Sequence, residues 1–228
     1  MGRFIPLAAA DGWTFTAYEA LPAGTPRAGL VLLQEIFGVN SHIRSVADAY
    51  ASAGYRVLAP STFSRVQTGV ELGYTEADMG LGFGLKTAVD ALPEPGVLAD
   101  IQAAIDHVGS AGKVGIMGFC WGGLLSWRAA CRLQGLSAAV CYYGAGMTVA
   151  PDAQCQPKVA VLAHFGDQDP WITPASVAAF QAAQPAVQVQ VYSAQHGFNC
   201  DQRASFDAGA AQLARERTLA FWAQHLQA

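Results

Sequence analysis

Six short segments, RAGLVLLQ (27–34), YRVLAP (55–60), VGIMGF (114–119), AAVCYYG (138–144), KVAVLAHFG (158–166) and VQVQVY (187–192), are apolar or β-rich over most of their length. A strand with one face in water alternates apolar and polar residues, whereas a strand covered on both faces reads as a continuous apolar run. Helical candidates lie between these segments, at 41–53, 97–108, 122–134, 174–183 and 206–225. Strand and helix therefore alternate, which predicts a mainly parallel central sheet flanked by helices in a three-layer α/β architecture. WTFTAYE at 13–19 alternates with period two and is expected to form an edge or hairpin strand. Residues 61–95, rich in turn-formers and broken by Pro93 and Pro95, are the least regular stretch and are expected to hold a small inserted helix or a lid. Of the 228 residues, 52% are hydrophobic, enough for a sizeable core, and no linker or charge run divides them. The expectation is one domain, 1–228.

Charge narrows the partners. Thirteen Lys and Arg stand against 17 Asp and Glu, a formal net charge of -4, so no basic stripe invites a phosphate backbone and no nucleic-acid partner is expected. The opening MGRFIPLAAADGWTF reaches an Asp-Gly turn before a secretory-type apolar segment accumulates, and no later stretch approaches the roughly 20 apolar residues of a membrane helix. A cytoplasmic protein without a membrane partner is expected. The five cysteines, Cys120, Cys131, Cys141, Cys155 and Cys200, form no CxxC pair and show no zinc-type spacing, which suits reduced thiols and predicts neither a disulfide scaffold nor a metal site.

In open α/β sheets the chemistry lies beyond the carboxyl ends of the strands. At one such end stands Gly118-Phe119-Cys120-Trp121-Gly122, G-x-C-x-G between an apolar strand and a helix. In a nucleophile elbow the central residue is strained and its neighbours two before and two after would collide, so glycine is needed at both. Such a turn also places the Cys120 sulfur at a helix N-terminus, which favours thiolate, and frees the Trp121 N–H to meet developing negative charge. The alternative is a buried cysteine in a glycine-rich turn, but no GxGxxG cofactor loop is present. Among five histidines, His196 occupies the loop after the last predicted strand and is the best candidate base. His164 lies inside a strand and reads as a packed residue. Gly166-Asp167-Gln168-Asp169 ends another strand; Asp169 is favoured as the acid, with Asp167 better placed to stabilise the turn.

Glu35, in Gln34-Glu35-Ile36-Phe37-Gly38, stands at the end of LVLLQ and faces the same crevice. The Ile36 N–H beside it could complete an oxyanion hole with that of Trp121. The plainer reading of Glu35 is a capping or loop-stabilising residue. Phe37, Trp171 and Phe198 flank the loops and are candidates for an apolar pocket around a small cyclic substrate.

QEIFG with N-x-H-I-R downstream, GFCWGG, G-D-Q-D and A-Q-H-G-F span residues 34–198, and together they resemble the dienelactone hydrolase (carboxymethylenebutenolidase) family of the α/β-hydrolase fold. The resemblance implies a small-molecule lactone or ester substrate, opened through a thioester with no metal or organic cofactor. It implies Cys120 as nucleophile, His196 as base and later acid, Asp169 as the orienter of His196, and Glu35 as a carboxylate that contacts the resting thiol and moves when substrate binds. One departure concerns recognition. The family carries an arginine a few residues after the histidine to hold a substrate carboxylate, but Gly197-Phe198-Asn199-Cys200 stands here and Arg203 comes later. A second family arginine, in the middle segment, has no counterpart between Arg65 and Arg128, where Lys86 and Lys113 are the only lysines. A neutral lactone, another activated ester, or an acid held by Arg203 or Lys86 are the readings left open. A general thiol-dependent esterase or amidase competes with the lactonase, and a non-catalytic binding or redox-sensing homologue is the alternative of another class. A monomer or small homo-oligomer is expected.

Overall fold

An eight-stranded sheet organises residues 2–227, the part of the chain that the computed structural model describes. Its strands are β1 (Arg3–Ala8), β2 (Thr14–Ala20), β3 (Gly29–Leu33), β4 (Arg56–Pro60), β5 (Val114–Phe119), β6 (Leu136–Tyr142), β7 (Ala160–Gly166) and β8 (Gln188–Tyr192). They lie in the order β1-β2-β4-β3-β5-β6-β7-β8. The pairs β1/β2 and β2/β4 are antiparallel and the other five are parallel. Every residue of the neighbours β3 and β5 is buried, as their unbroken apolar sequences require.

The helices are α1 (Ser41–Ser52), α2 (Glu76–Asp90), α3 (Val97–Val108), α4 (Trp121–Arg132), α5 (Pro174–Ala183) and α6 (Ala208–His225). On one face α1 and α6 meet, with the Arg215 guanidinium 5.7 Å from the centre of the Tyr50 ring. On the other, α3 and α4 pack over the central strands. The result is the expected three-layer arrangement with a mixed, mostly parallel sheet. Among the described residues no helix is long and apolar enough to cross a membrane.

Two elements depart from the sequence expectation. β1 contains Pro6, which argues against a strand, but β1 is the sheet's edge, where a missing N–H costs least. The irregular 61–95 segment contains a full helix, α2, whose Gly80, Gly82 and Gly84 mask its pattern. A reciprocal cap starts it: the Thr75 side chain accepts the Asp78 N–H while Asp78 accepts the Thr75 N–H. Gly82 is one of only two buried residues on α2, and a Cβ there would strike the Ile36 carbonyl. The helix is thereby held directly against the end of β3.

The loop after β4 is tied down by charge. Arg65 Nε lies 3.0 and 3.1 Å from the two oxygens of fully buried Asp100 on α3, and Arg65 Nη2 donates at 2.7 Å. Arg65 Nη1 reaches Asp11 of the β1–β2 hairpin at 2.7 Å. Removing the arginine strands the carboxylate, so Arg65→Ala is expected to lower the unfolding free energy by about 3 kcal/mol or more in urea denaturation at neutral pH. A loss no larger than that of an exposed ion pair would show that Asp100 does not depend on it.

Candidate active site

Cys120 sits between β5 and α4 with φ 55° and ψ −118°, a backbone conformation that non-glycine residues rarely adopt. The turn is held on both sides: the Cys120 N–H donates to the Tyr142 carbonyl at 3.0 Å, and the Cys120 carbonyl accepts from Gly123 at 2.9 Å and Leu124 at 3.2 Å. A Cβ on Gly118 would strike the Gly122 carbonyl, and one on Gly122 would strike the carbonyls of Leu33 and Gln34. Glycine at both positions is a steric requirement of bringing this turn against the end of β3. The half-buried Cys120 thiol is left facing a cavity.

Two loops bring Asp169 and His196 to the same place. Buried Asp169 accepts the N–H groups of Trp171 at 2.8 Å and Ile172 at 3.1 Å on Oδ1, while Oδ2 lies 2.6 Å from His196 Nδ1. A carboxylate accepts, so Nδ1 carries the proton and Nε2 is the free nitrogen. Nε2 is buried without a hydrogen-bond partner and belongs to the wall that also holds Cys120. Burial alone would depress the imidazolium; the neighbouring Cys120 sulfur and the Asp169 carboxylate outweigh it and raise its pKa to about 9. Asp167 is exposed, outside this arrangement. His164 is buried in β7 between the Tyr192 hydroxyl at 2.8 Å and Thr218 at 3.0 Å, and burial pushes it down to about 3.

Glu35 follows β3 and is fully buried. No hydrogen bond joins it to Cys120 among the described residues. Its Oε1 accepts from Arg203 Nη1 at 3.1 Å, because a carboxylate removed from water needs a charge partner. Arg203 compensates for its sequence distance from His196 through a folded-back loop: Cys200 N–H donates to the Gly197 carbonyl, Arg203 to Cys200, and Asp207 to Phe198. Gly197 has φ 80°, and a Cβ on it would lie 2.6 Å from Arg203 Nη1, so this glycine makes room for the guanidinium.

Cys120, Trp121, Ile36, Phe37, Trp171, His196 and Arg203 line one cavity of about 160 Å³. The Ile36 and Trp121 N–H groups donate to no other group among the described residues, and both belong to residues at the wall. Sequence reasoning did not foresee that Met79 and Phe83 of α2 would close the opposite side, next to Lys86. Nor did it foresee Tyr143, which has φ 37° and packs its ring 5.0 Å from that of His196. Its signal was available as a second aromatic residue at the end of a buried strand. Phe198 is a correction: it is fully buried against Tyr143 and Tyr192, not at the cavity, because the turn after His196 directs it inward.

A strained residue between a buried strand and a helix, faced by a histidine and an acid from two later loops, is the organisation of an α/β-hydrolase. Residues 15–226 match the dienelactone hydrolase family. A carboxymethylenebutenolidase of Pseudomonas putida is 34% identical over 222 residues, covering 93% of this chain and 92% of the relative; one from Pseudomonas knackmussii gives the same figures. A crystal structure of a Klebsiella pneumoniae protein assigned to the dienelactone hydrolases superposes with a TM-score of 0.81 at 30% identity, covering 99% of this chain and 100% of that one. The chain belongs to the dienelactone hydrolase family.

The coupling of His196 to Cys120 has a pH signature. Because the folded-state pKa of His196 is raised, its contribution to stability is complete below its ordinary value and is lost as pH rises through about 9. NMR titration of His196 is expected to give a midpoint near 9, and Cys120→Ala, which removes the charge but keeps the burial, is expected to lower it. An unchanged midpoint would mean that Asp169 alone sets it.

Proposed function

We propose that the protein hydrolyses an enol-lactone or a similarly activated small ester through a Cys120 thioester. The observation that carries this reading is the position of Cys120 on a strained turn, between the Asp169–His196 pair and two disengaged backbone N–H groups. The Cys120 thiolate attacks the substrate carbonyl and forms the S–C bond, while the oxyanion faces the N–H groups of Ile36 and Trp121. As the ring C–O bond breaks, the enolate leaves and takes a proton from the His196 imidazolium. Neutral His196 then accepts a proton from water, the water oxygen attacks the thioester, and the S–C bond breaks to restore the thiolate. Thiolate is itself a good leaving group, so the reaction runs forward with a stabilised enolate in preference to an ordinary alkoxide.

Recognition follows from charge. Apart from His196, the cations at the wall are Arg203 and Lys86, and Lys86 is tied to Asp90 at 2.7 Å. Arg203 is therefore the seat for a substrate carboxylate, which competes with Glu35 for the guanidinium. In the empty site Glu35 balances the Arg203 charge. The bound carboxylate takes over that partner and frees Glu35.

Incubation with a carboxylated enol-lactone is expected to give an acyl adduct on Cys120 by mass spectrometry, and Cys120→Ala is expected to lose both adduct and turnover. Full turnover in Cys120→Ala would sink the covalent mechanism. A panel of simple aryl esters separates a lactonase from a general thiol esterase by relative kcat/KM. For Glu35, alkylation of the unoccupied thiol is the measure: Glu35→Gln leaves the Arg203 charge unshared in the cavity and is expected to speed labelling. An unchanged rate would remove Glu35 from any gating role.

A further inference from the structure

Behind the cavity, three side chains from three separate elements meet, and only Glu35 among them has a part in the proposed reaction. Glu35 comes from the end of β3, His42 from the first turn of α1 and Cys200 from the loop after His196, and one ligand atom from each lies within 4.8 Å of the other two. All three are buried, with exposures of 0, 3 and 0%. Two donors there have nothing to bind: Glu35 Oε2 and His42 Nε2 are buried without a hydrogen-bond partner. An unpaired buried oxygen and an unpaired buried nitrogen carry a desolvation cost that a ligand between them would relieve.

Two of the three are also held from behind. His42 Nδ1 lies 3.2 Å from Asp201, which fixes the tautomer that leaves Nε2 as a lone-pair donor. Arg203 holds Glu35 Oε1, and Asn40 Nδ2 donates to the neighbouring Tyr74 hydroxyl. Carboxylate support for a histidine and hydrogen-bonded support for a carboxylate is how metal ligands are oriented.

The geometry points to a site for one soft or borderline divalent cation, of which Zn²⁺ is the type, held by Glu35 Oε2, His42 Nε2 and Cys200 Sγ. Three protein ligands of O, N and S type suit zinc, with a fourth position left for water. The Tyr143 hydroxyl is itself buried without a partner. Tetrahedral donors around zinc are roughly 3.5 Å apart, so the ligands close inward by about an ångström. On binding, the Cys200 proton is released to solvent as the S–Zn bond forms. One carboxylate and one thiolate then balance the two positive charges, and no electron is transferred. A cleft of about 330 Å³ between α1 and α6 is lined by His42 together with Asn199 and Asp201. With Oε1 on Arg203 and Oε2 on the ion, Glu35 would no longer be free to move when substrate binds, a consequence that rests on the functional reading above; the site itself does not.

The test is Co²⁺ titration of the Cys120→Ser protein, in which the catalytic thiol cannot ligate. A thiolate-to-cobalt charge-transfer band that saturates at one equivalent and is displaced by Zn²⁺ is the expected result. The band should vanish in Cys120→Ser/Cys200→Ser and weaken at least tenfold in affinity in Cys120→Ser/His42→Gln, with both proteins checked for cooperative thermal unfolding. If Cys200→Ser does not fold, loss of affinity in the folded His42→Gln protein decides the matter. No band, a band that survives replacement of Cys200, or binding only at millimolar metal would overturn the site. Because absorption reports binding without turnover, a failure of the esterase reading would leave this result standing.

Discussion

The close passage of the β5–α4 turn over the end of β3 is the contact on which the site rests. Gly118 and Gly122 carry no Cβ where the carbonyls of Leu33, Gln34 and Gly122 itself come nearest, so two parallel neighbours can end at almost the same point. That coincidence puts Ile36 and Trp121 at one wall and Cys120 between them. The backbone strain at Cys120 is sustained because hydrogen bonds from β6 and α4 over-determine the turn. The chemistry is thus built by sheet register, with the loops of Asp169 and His196 added to a position already fixed.

Much of this was legible because it is local. An unbroken apolar run means a strand covered on both faces, and GFCWGG states its own steric requirement within six residues. The preference for Asp169 over Asp167 followed from turn chemistry, and the structure shows why: Asp169 turns inward and accepts two backbone N–H groups as well as His196, whereas Asp167 faces solvent. What failed to show was set by return paths of the chain. Arg203 comes later than the expected arginine, so sequence left it and Lys86 as open alternatives; the turns between Gly197 and Asp207 bring its guanidinium to 5.6 Å from the Phe37 ring centre. Phe198 looked like a wall residue because it neighbours His196 in sequence, but one turn suffices to send it into the core. The cluster of Glu35, His42 and Cys200 was invisible to any count of cysteine spacing, since its members are drawn from three places in the chain.

The buried pair of Glu35 and Arg203 gives the cavity an unusual electrostatic character. A lone arginine in this enclosure would be a strong and indiscriminate anion trap; an internal carboxylate raises the threshold that an incoming anion has to exceed. On the proposed reading, selectivity arises from competition between an internal and an external carboxylate for one guanidinium.

The construction of α2 divides the labour of the molecule. The reactive groups stand on sheet ends and tight turns, where almost any added atom collides. Met79, Phe83 and Lys86 instead project from a helix that fully buries only Gly82 and Val89, with Met79 and Leu85 partly packed against the core. Three side chains on one lightly anchored helix therefore shape what the cavity accepts, and none of them supports the reactive groups. Selection acting on α2 can change the substrate while the machinery beneath stays intact, so a single scaffold has room to diversify by exchanging one wall.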